Sequence, residues 1–140
     1  MFKFLLKIML KITKKIEYAL IALRHLQQND AGVLSTSKEI ASKYDIPKEL
    51  LAKILQNLVK NDIVSSTKGP SGGYEVVADP ANINMTKFFE VMEGPFGIVD
   101  CYYDSGCDKL NNCTIRTPIN RLNNSIRSVL DKMTLAEITY

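Results

Sequence analysis

The sequence predicts a mainly α-helical fold with a small β-hairpin, a winged helix-turn-helix followed by one long C-terminal helix. Three observations carry that expectation. Two short helical segments are separated only by a brief break at Asp45 and Ile46, the arrangement of a helix-turn-helix. The stretch "IVSSTKGPSGGYEVV" follows at once, with two β-prone runs flanking Gly69, Pro70, Gly72 and Gly73, which is the pattern of a hairpin with a Gly-rich tip. Further on, Ile119, Leu122, Ile126, Val129 and Met133 recur every three or four residues between polar flanks. So narrow a stripe suits a helix–helix seam, either within the domain or between two copies, and marks a candidate dimerisation helix. Each piece is common alone, and their order carries the specificity.

Taken in order, the first helical pattern is "ITKKIEYALIALRHLQQ", with Ile12, Ile16, Leu20 and Leu23 as its apolar stripe and "NDAGV" as its stop. Upstream, Lys3, Lys7 and Lys11 interrupt "MFKFLLKIMLKI" at every fourth residue. No continuous apolar region of a secretory signal therefore forms, and nothing approaches the roughly 20 apolar residues of a membrane span. This segment reads as a membrane-surface helix, as an extension of the first helix, or as residues ahead of a start at Met9; the last two readings are favoured. Thr36 and Glu39 have capping-box spacing and open a short helix through Ile40, Ala41 and Tyr44. Pro47 is suited to the first turn of the next helix, whose buried face is Leu51, Ile54, Leu55, Leu58 and Val59. "MTKFFEVMEGP" reads as a further helix closed by Gly94 and Pro95, with Phe88, Val91 and Met92 in the core. Thr117 is placed to cap the last helix and Pro118 to open it. The expected organisation is a winged helix-turn-helix over 1–95 (1–8 a possible extension), a cysteine loop over 96–116, and a dimerisation helix with a C-terminal tail over 117–140.

The 140 residues are 46% hydrophobic and 24% charged, enough for one domain whose core needs no disulfides. Net charge is +3, but residues 1–74 hold 12 Lys/Arg against 6 Asp/Glu, while residues 75–140 hold 6 against 9. A basic front half is compatible with nucleic acid, although five of its lysines lie in the first fifteen residues. There is one histidine, His25, and no Ser/His/Asp pattern or phosphate loop, so the sequence argues against an enzyme.

All three cysteines, Cys101, Cys107 and Cys113, fall in "CYYDSGCDKLNNC", with five residues in each gap. An odd number leaves a thiol over from any closed disulfide framework. With no secretory segment, the expected compartment is a reducing cytoplasm, where clustered thiols mean metal or redox chemistry. Thiolates select iron–sulfur clusters, zinc or copper(I), and single zinc sites more often use gaps of about two to four residues. A Gly- and Asn-rich loop with wider gaps can fold around something larger than one ion.

The stretches "KITKKIEYALIAL", "IPKELLAKILQNLVKNDIVSSTKGPSGGY" and "FFEVMEGP", followed by three spaced cysteines, resemble the IscR-type and NsrR-type bacterial transcriptional regulators over roughly residues 9–137. The resemblance implies a homodimer, joined through the long helix, that reads a double-stranded DNA operator. It also implies an iron–sulfur cluster, 2Fe–2S or 4Fe–4S, held by Cys101, Cys107 and Cys113 and sensing cluster status, nitric oxide or oxidative stress. IscR-type members place a histidine three residues after the last cysteine, where this chain has Arg116. The NsrR-type pattern takes a carboxylate from the first helix of the other subunit just before "YAL", and here that position is Glu17. On DNA, the helix beginning at Pro47 enters the major groove, with Lys48, Glu49 and Lys53 as candidate contacts. Thr36 marks a helix N-terminus able to offer N–H groups to phosphate. Lys68 is placed at the wing tip for the minor groove or an adjacent phosphate, and Gly69, Ser71, Gly72, Gly73 and Tyr74 complete the wing. Two other readings stay open: a cluster-free regulator of the same fold that works through thiol oxidation, and a metal- or cluster-binding protein with no DNA role.

Overall fold

The computed structural model describes residues 12–94 and 114–139. The three cysteines and the N-terminal basic segment lie outside the described residues. Helix α1 spans Lys14–Gln27 and is capped by Thr13, whose Oγ1 accepts from the Ile16 N–H at 3.3 Å. Ile12 therefore precedes the helix and is exposed, and Leu20 is only half-buried. The buried face runs instead through Ile16, Ala19, Ala22, Leu23 and Leu26. Ala19 and Ala22 let neighbouring elements approach the α1 backbone closely, an effect that a stripe of large residues does not reveal.

Helix α2 (Ser37–Tyr44) begins with the expected capping box: Glu39 N–H donates to Thr36 Oγ1, and Thr36 N–H donates to the Glu39 carboxylate. Asp45 ends it in the left-handed conformation (φ 54°), and the Ile46 N–H returns to the Ala41 carbonyl at 2.9 Å. Asp tolerates that conformation better than most residues, so the sharp turn to the next helix is local chemistry. Helix α3 (Lys48–Lys60) follows, with Pro47 one position earlier than the first helical turn, at the cap. Leu51, Ile54, Leu55 and Leu58 are buried and Val59 is half-buried.

A second positive φ, at Asp62 (58°), reverses the chain into β1 (Val64–Thr67), which pairs antiparallel with β2 (Gly73–Val76). The register sets Val64 opposite Val76 and Thr67 opposite Gly73. A short 3-10 turn (Pro80–Asn82), capped by Asp79, leads to helix α4 (Met85–Glu93), capped by Asn84 and ended at Gly94. Phe88 and Met92 of α4 are buried, and the Asn57 side-chain amide of α3 donates to the Val91 carbonyl at 2.9 Å.

Helix α5 spans Arg116–Lys132. It starts before Thr117, with Ile115 at the cap and no side-chain cap bond, so the proposed Thr117 cap is corrected. One face of α5 meets α4 through the Arg127–Glu90 ion pair (2.9 Å) and a Thr86 hydroxyl bond to the Arg127 carbonyl (3.4 Å). Its predicted apolar stripe is partly open: Leu122 and Val129 are 50% and 59% exposed, Ile119 and Ile126 are half-buried, and Met133, at the C-cap, packs against the core. The expected tail instead forms helix α6 (Leu135–Thr139), started by a Thr134 N–H bond to Glu137. Leu135 is buried in the main core, and its N–H donates to the Ile83 carbonyl at 2.8 Å. The C-terminal end of the chain therefore docks back onto the winged-helix domain.

Candidate nucleic-acid interface

Helix α3 is built to show one face and hide the other. Lys48, Glu49, Lys53, Gln56 and Lys60 are exposed opposite the buried Leu and Ile positions. Glu49, Lys53, Gln56 and Lys60 follow helical spacing, so they form one stripe along the solvent face. Gln56 was not among the sequence-derived candidates, although the same spacing points to it. Its amide can donate to and accept from a base edge, the usual chemistry of adenine readout. Exposed Lys38 and Lys43 on α2 add charge next to this helix. Lys43 Nζ lies 5.5 Å from the centre of the Tyr44 ring. Among the described residues none of Lys38, Lys43, Lys48, Lys53 or Lys68 is in an ion pair. These ammonium groups are available for phosphates, whose neutralisation supplies most of the sequence-independent affinity for DNA.

At Thr36 the N–H groups of Thr36 and Glu39 are both taken up by the capping box, so any phosphate bond there falls to the other N–H groups of the first turn.

The wing tip holds Lys68, Gly69, Pro70 and Ser71, all exposed, with the Gly72 N–H closing the turn on the Gly69 carbonyl at 2.9 Å. Gly72 is required by space: a Cβ there would lie 2.1 Å from the Thr67 carbonyl oxygen. Gly73 and Tyr74 begin the returning strand directly after the tip, buried and half-buried respectively. A Cβ on Gly73 would meet the Ser35 carbonyl at 2.8 Å, and Tyr74 and Ser35 exchange backbone bonds of 2.8 and 3.2 Å. The wing is thus fastened to the residue just ahead of α2.

Ser35 is the hub of that junction. It is 5% exposed, its Oγ accepts from the Asn29 amide at 2.9 Å, and it lies 3.1 Å from His25 Nε2. His25 Nδ1 is 3.0 Å from the Tyr44 hydroxyl, so one imidazole joins α1, the start of α2 and the end of α2. Burial, and secondarily the charge of Lys43, hold the His25 pKa below its usual value, with Glu39 opposing. The imidazole is therefore neutral at neutral pH, donating through one nitrogen and accepting through the other. Neither His25 nor Ser35 carries a periodic or motif signal in the sequence.

Glu17 lies in the first turn of α1, where its carboxylate pairs with Lys14 at 3.0 Å. That pairing raises the Lys14 pKa, and the Lys14 ammonium also stands 5.9 Å from the centre of the Tyr18 ring. The Thr13 hydroxyl donates to Glu93 Oε1 at 2.7 Å. The point where the chain enters the cysteine segment, after Gly94, is therefore tied to the turn that carries Glu17.

The family model described as "Rrf2: Iron-dependent Transcriptional regulator" matches residues 12–140. The chain belongs to the Rrf2 family. It is 31% identical over 136 residues to a putative rrf2-like HTH-type transcriptional regulator of Rhodobacter capsulatus, covering 91% of each chain. It is 30% identical to the HTH-type transcriptional regulator NsrR of Bacillus subtilis, covering 92% of this chain and 90% of that one. The solved structure of CymR, the global cysteine regulator of B. subtilis, superposes with a TM-score of 0.70 at 25% identity, covering 93% of this chain and 96% of that one. This Rrf2 protein is thus a winged-helix transcriptional regulator rather than an enzyme, of a family that binds DNA. Among the described residues no helix is long and apolar enough to cross a membrane.

The wing supplies a first prediction. Lys68→Ala is expected to weaken operator binding by about 1–3 kcal/mol and relax specificity locally if Lys68 reads bases. If it meets only phosphate, the loss is uniform across sequences and the salt slope falls by about one unit. Fluorescence anisotropy at several salt concentrations separates the two cases, and unchanged affinity and slope would remove the wing tip from the interface.

Proposed function

We propose that this Rrf2 regulator is a cytoplasmic homodimeric repressor whose operator binding is controlled by an iron–sulfur cluster. Cys101, Cys107 and Cys113 are its thiolate ligands and Glu17 is the fourth. The observation that carries the reading is the Thr13–Glu93 hydrogen bond, which holds the end of α4, just ahead of the cysteine segment in the sequence, beside the helical turn bearing Glu17. The donor set fits: three soft thiolates, with a half-exposed carboxylate whose partner is a surface lysine. Exchanging Lys14 for a metal costs little, because an exposed ion pair is screened by water and contributes little to stability. Six residues separate Gly94 from Cys101, about seven Cα–Cα steps and a reach of up to roughly 23 Å when extended. That reach allows Glu17 of the same chain or of the partner subunit; the resemblance to NsrR-type regulators favours the partner. A bound cluster supplies redox and nitric-oxide reactivity, and the protein confers sensitivity by holding one iron through oxygen instead of sulfur.

The DNA half of the reading places α3 in the major groove and the wing on flanking phosphate. The two subunits meet along the exposed α5 stripe. Half-sites then lie about one helical turn apart, roughly 34–36 Å, or multiples of that.

A second reading, thiol-based regulation without a cluster, is favoured by the match to CymR, whose name connects it with cysteine. Iron and acid-labile sulfide assays on anaerobically purified protein separate the two. The cluster reading expects brown protein with both elements, and Glu17→Ala protein that assembles its cluster but loses it faster in air. Colourless protein containing zinc or a disulfide would support thiol chemistry instead. An unchanged spectrum and decay rate in Glu17→Ala would remove that ligand.

A further inference from the structure

We propose that the cleft between the end of α1 and the second wing strand is a binding site for a small organic cation, an ammonium group on a short apolar body, and that its occupancy biases DNA binding. The cleft has a volume of about 230 Å³, and its lining includes Leu26, Gln27, Asp30, Val33, Glu75 and Val76. Drug-sized ligands occupy pockets of roughly 300–1,000 Å³, so this space suits a molecule of only a few heavy atoms.

Charge selects the ligand class. Two carboxylates, Asp30 and Glu75, line the cleft, and no lysine or arginine does. Neither carboxylate is in an ion pair among the described residues. This is a local negative site on a chain of net charge +3. Leu26, Val33, Val76 and Pro80 provide apolar contact for a short hydrocarbon chain. Val33 is 49% exposed, far more than a core valine.

Gln27 is an independent sign of a missing partner. Both polar atoms of its amide are buried, and neither has a hydrogen-bond partner among the described residues. Leaving such a group unsatisfied carries its full desolvation penalty. Its Oε1 is an acceptor that a rotated side chain can turn toward an ammonium in the cleft.

The position of the cleft connects it to DNA. One wall, ending at Val33, lies two residues ahead of Ser35, and the other begins at Glu75, next to Tyr74. Ser35 and Tyr74 form the backbone pair that fastens the wing to the helix-turn-helix. A cation held between Asp30 and Glu75 clamps that same junction and favours the wing orientation it was bound to. By linkage, operator DNA changes ligand affinity by the same factor.

The test uses n-butylammonium chloride as the probe and sodium butyrate as the charge-reversed control, titrated into the full-length chain and followed by amide nitrogen–proton NMR. The expected result is saturable shifts at Asp30, Gly32, Val33, Glu75 and Val76 with butylammonium and none with butyrate. Asp30→Asn/Glu75→Gln should weaken binding at least tenfold while keeping the dispersed spectrum of a folded chain; Glu75→Gln alone serves if the double variant unfolds. Saturating probe should change operator affinity by about fivefold or more. Non-saturating shifts, equal shifts from butyrate, or an unchanged Kd in the charge-neutral variant would overturn the site and leave solvent as the partner of Gln27. Unchanged operator affinity at saturation would overturn the coupling. The NMR readout needs neither iron nor DNA, so its failure is distinct from failure of the cluster reading.

Discussion

A Leu122→Asp/Val129→Asp variant is expected to be a folded monomer that has lost most of its operator affinity. The two side chains are 50% and 59% exposed on α5, so replacing them leaves the described core intact. Ile126, on the same stripe, is half-buried and is the poorer choice for mutation. In a symmetric dimer each substitution acts twice. Each buried Leu or Val contributes about 1.5–3 kcal/mol, and an unpaired aspartate in the seam adds several more against association. A monomer engages one half-site at a time, so the loss should approach the roughly 10²–10⁴-fold gained by linking two binding modules. Sedimentation and anisotropy on one sample read both quantities. A tight-binding dimer would show that α5 meets its partner elsewhere.

The second large effect concerns the thiols. Replacing Cys101, Cys107 or Cys113 singly with Ala should abolish visible absorption in anaerobic protein while leaving the far-ultraviolet dichroism of the helices unchanged. Three thiolates and one carboxylate make a set of about four ligands, the number cluster sites normally use. On the proposed ligand set, removing one thiolate takes away a strong ligand, whereas removing Glu17 takes away a weak one. If each single variant retains full iron and sulfide, the loop does not hold the cluster. If the helical signal collapses as well, the cysteines are structural.

Most of the winged helix was legible because its signals are local. The Thr36–Glu39 box, the Asp45 turn, the Gly72 turn and the α3 apolar face are each written within a few residues. What escaped was set by contacts distant in sequence. The Ser35–Tyr74 pair joins backbone 39 residues apart and leaves no periodic trace. Helix α6 has a Thr134–Glu137 start signal, but five residues are too few to stand alone, and buried Leu135 anchors it. The α1 stripe was misassigned at Ile12 because Thr13, rather than an earlier residue, caps the helix. For the DNA interface, charge and spacing pointed to Lys48, Lys53 and Lys68, and the same spacing carried on to Gln56. His25 shows no signal in the sequence because its two partners, Ser35 and Tyr44, come together only in the fold.

The most direct measurement of the central claim is the operator affinity of one anaerobic preparation before and after its cluster is removed by a chelator. If the cluster controls the regulator, the two titrations should differ by about 5–150-fold, the usual range of coupling between sites. Reconstitution with iron and sulfide should restore the first curve, and Cys107→Ala protein should follow the second throughout. Superimposable curves for the loaded and stripped protein would contradict the account.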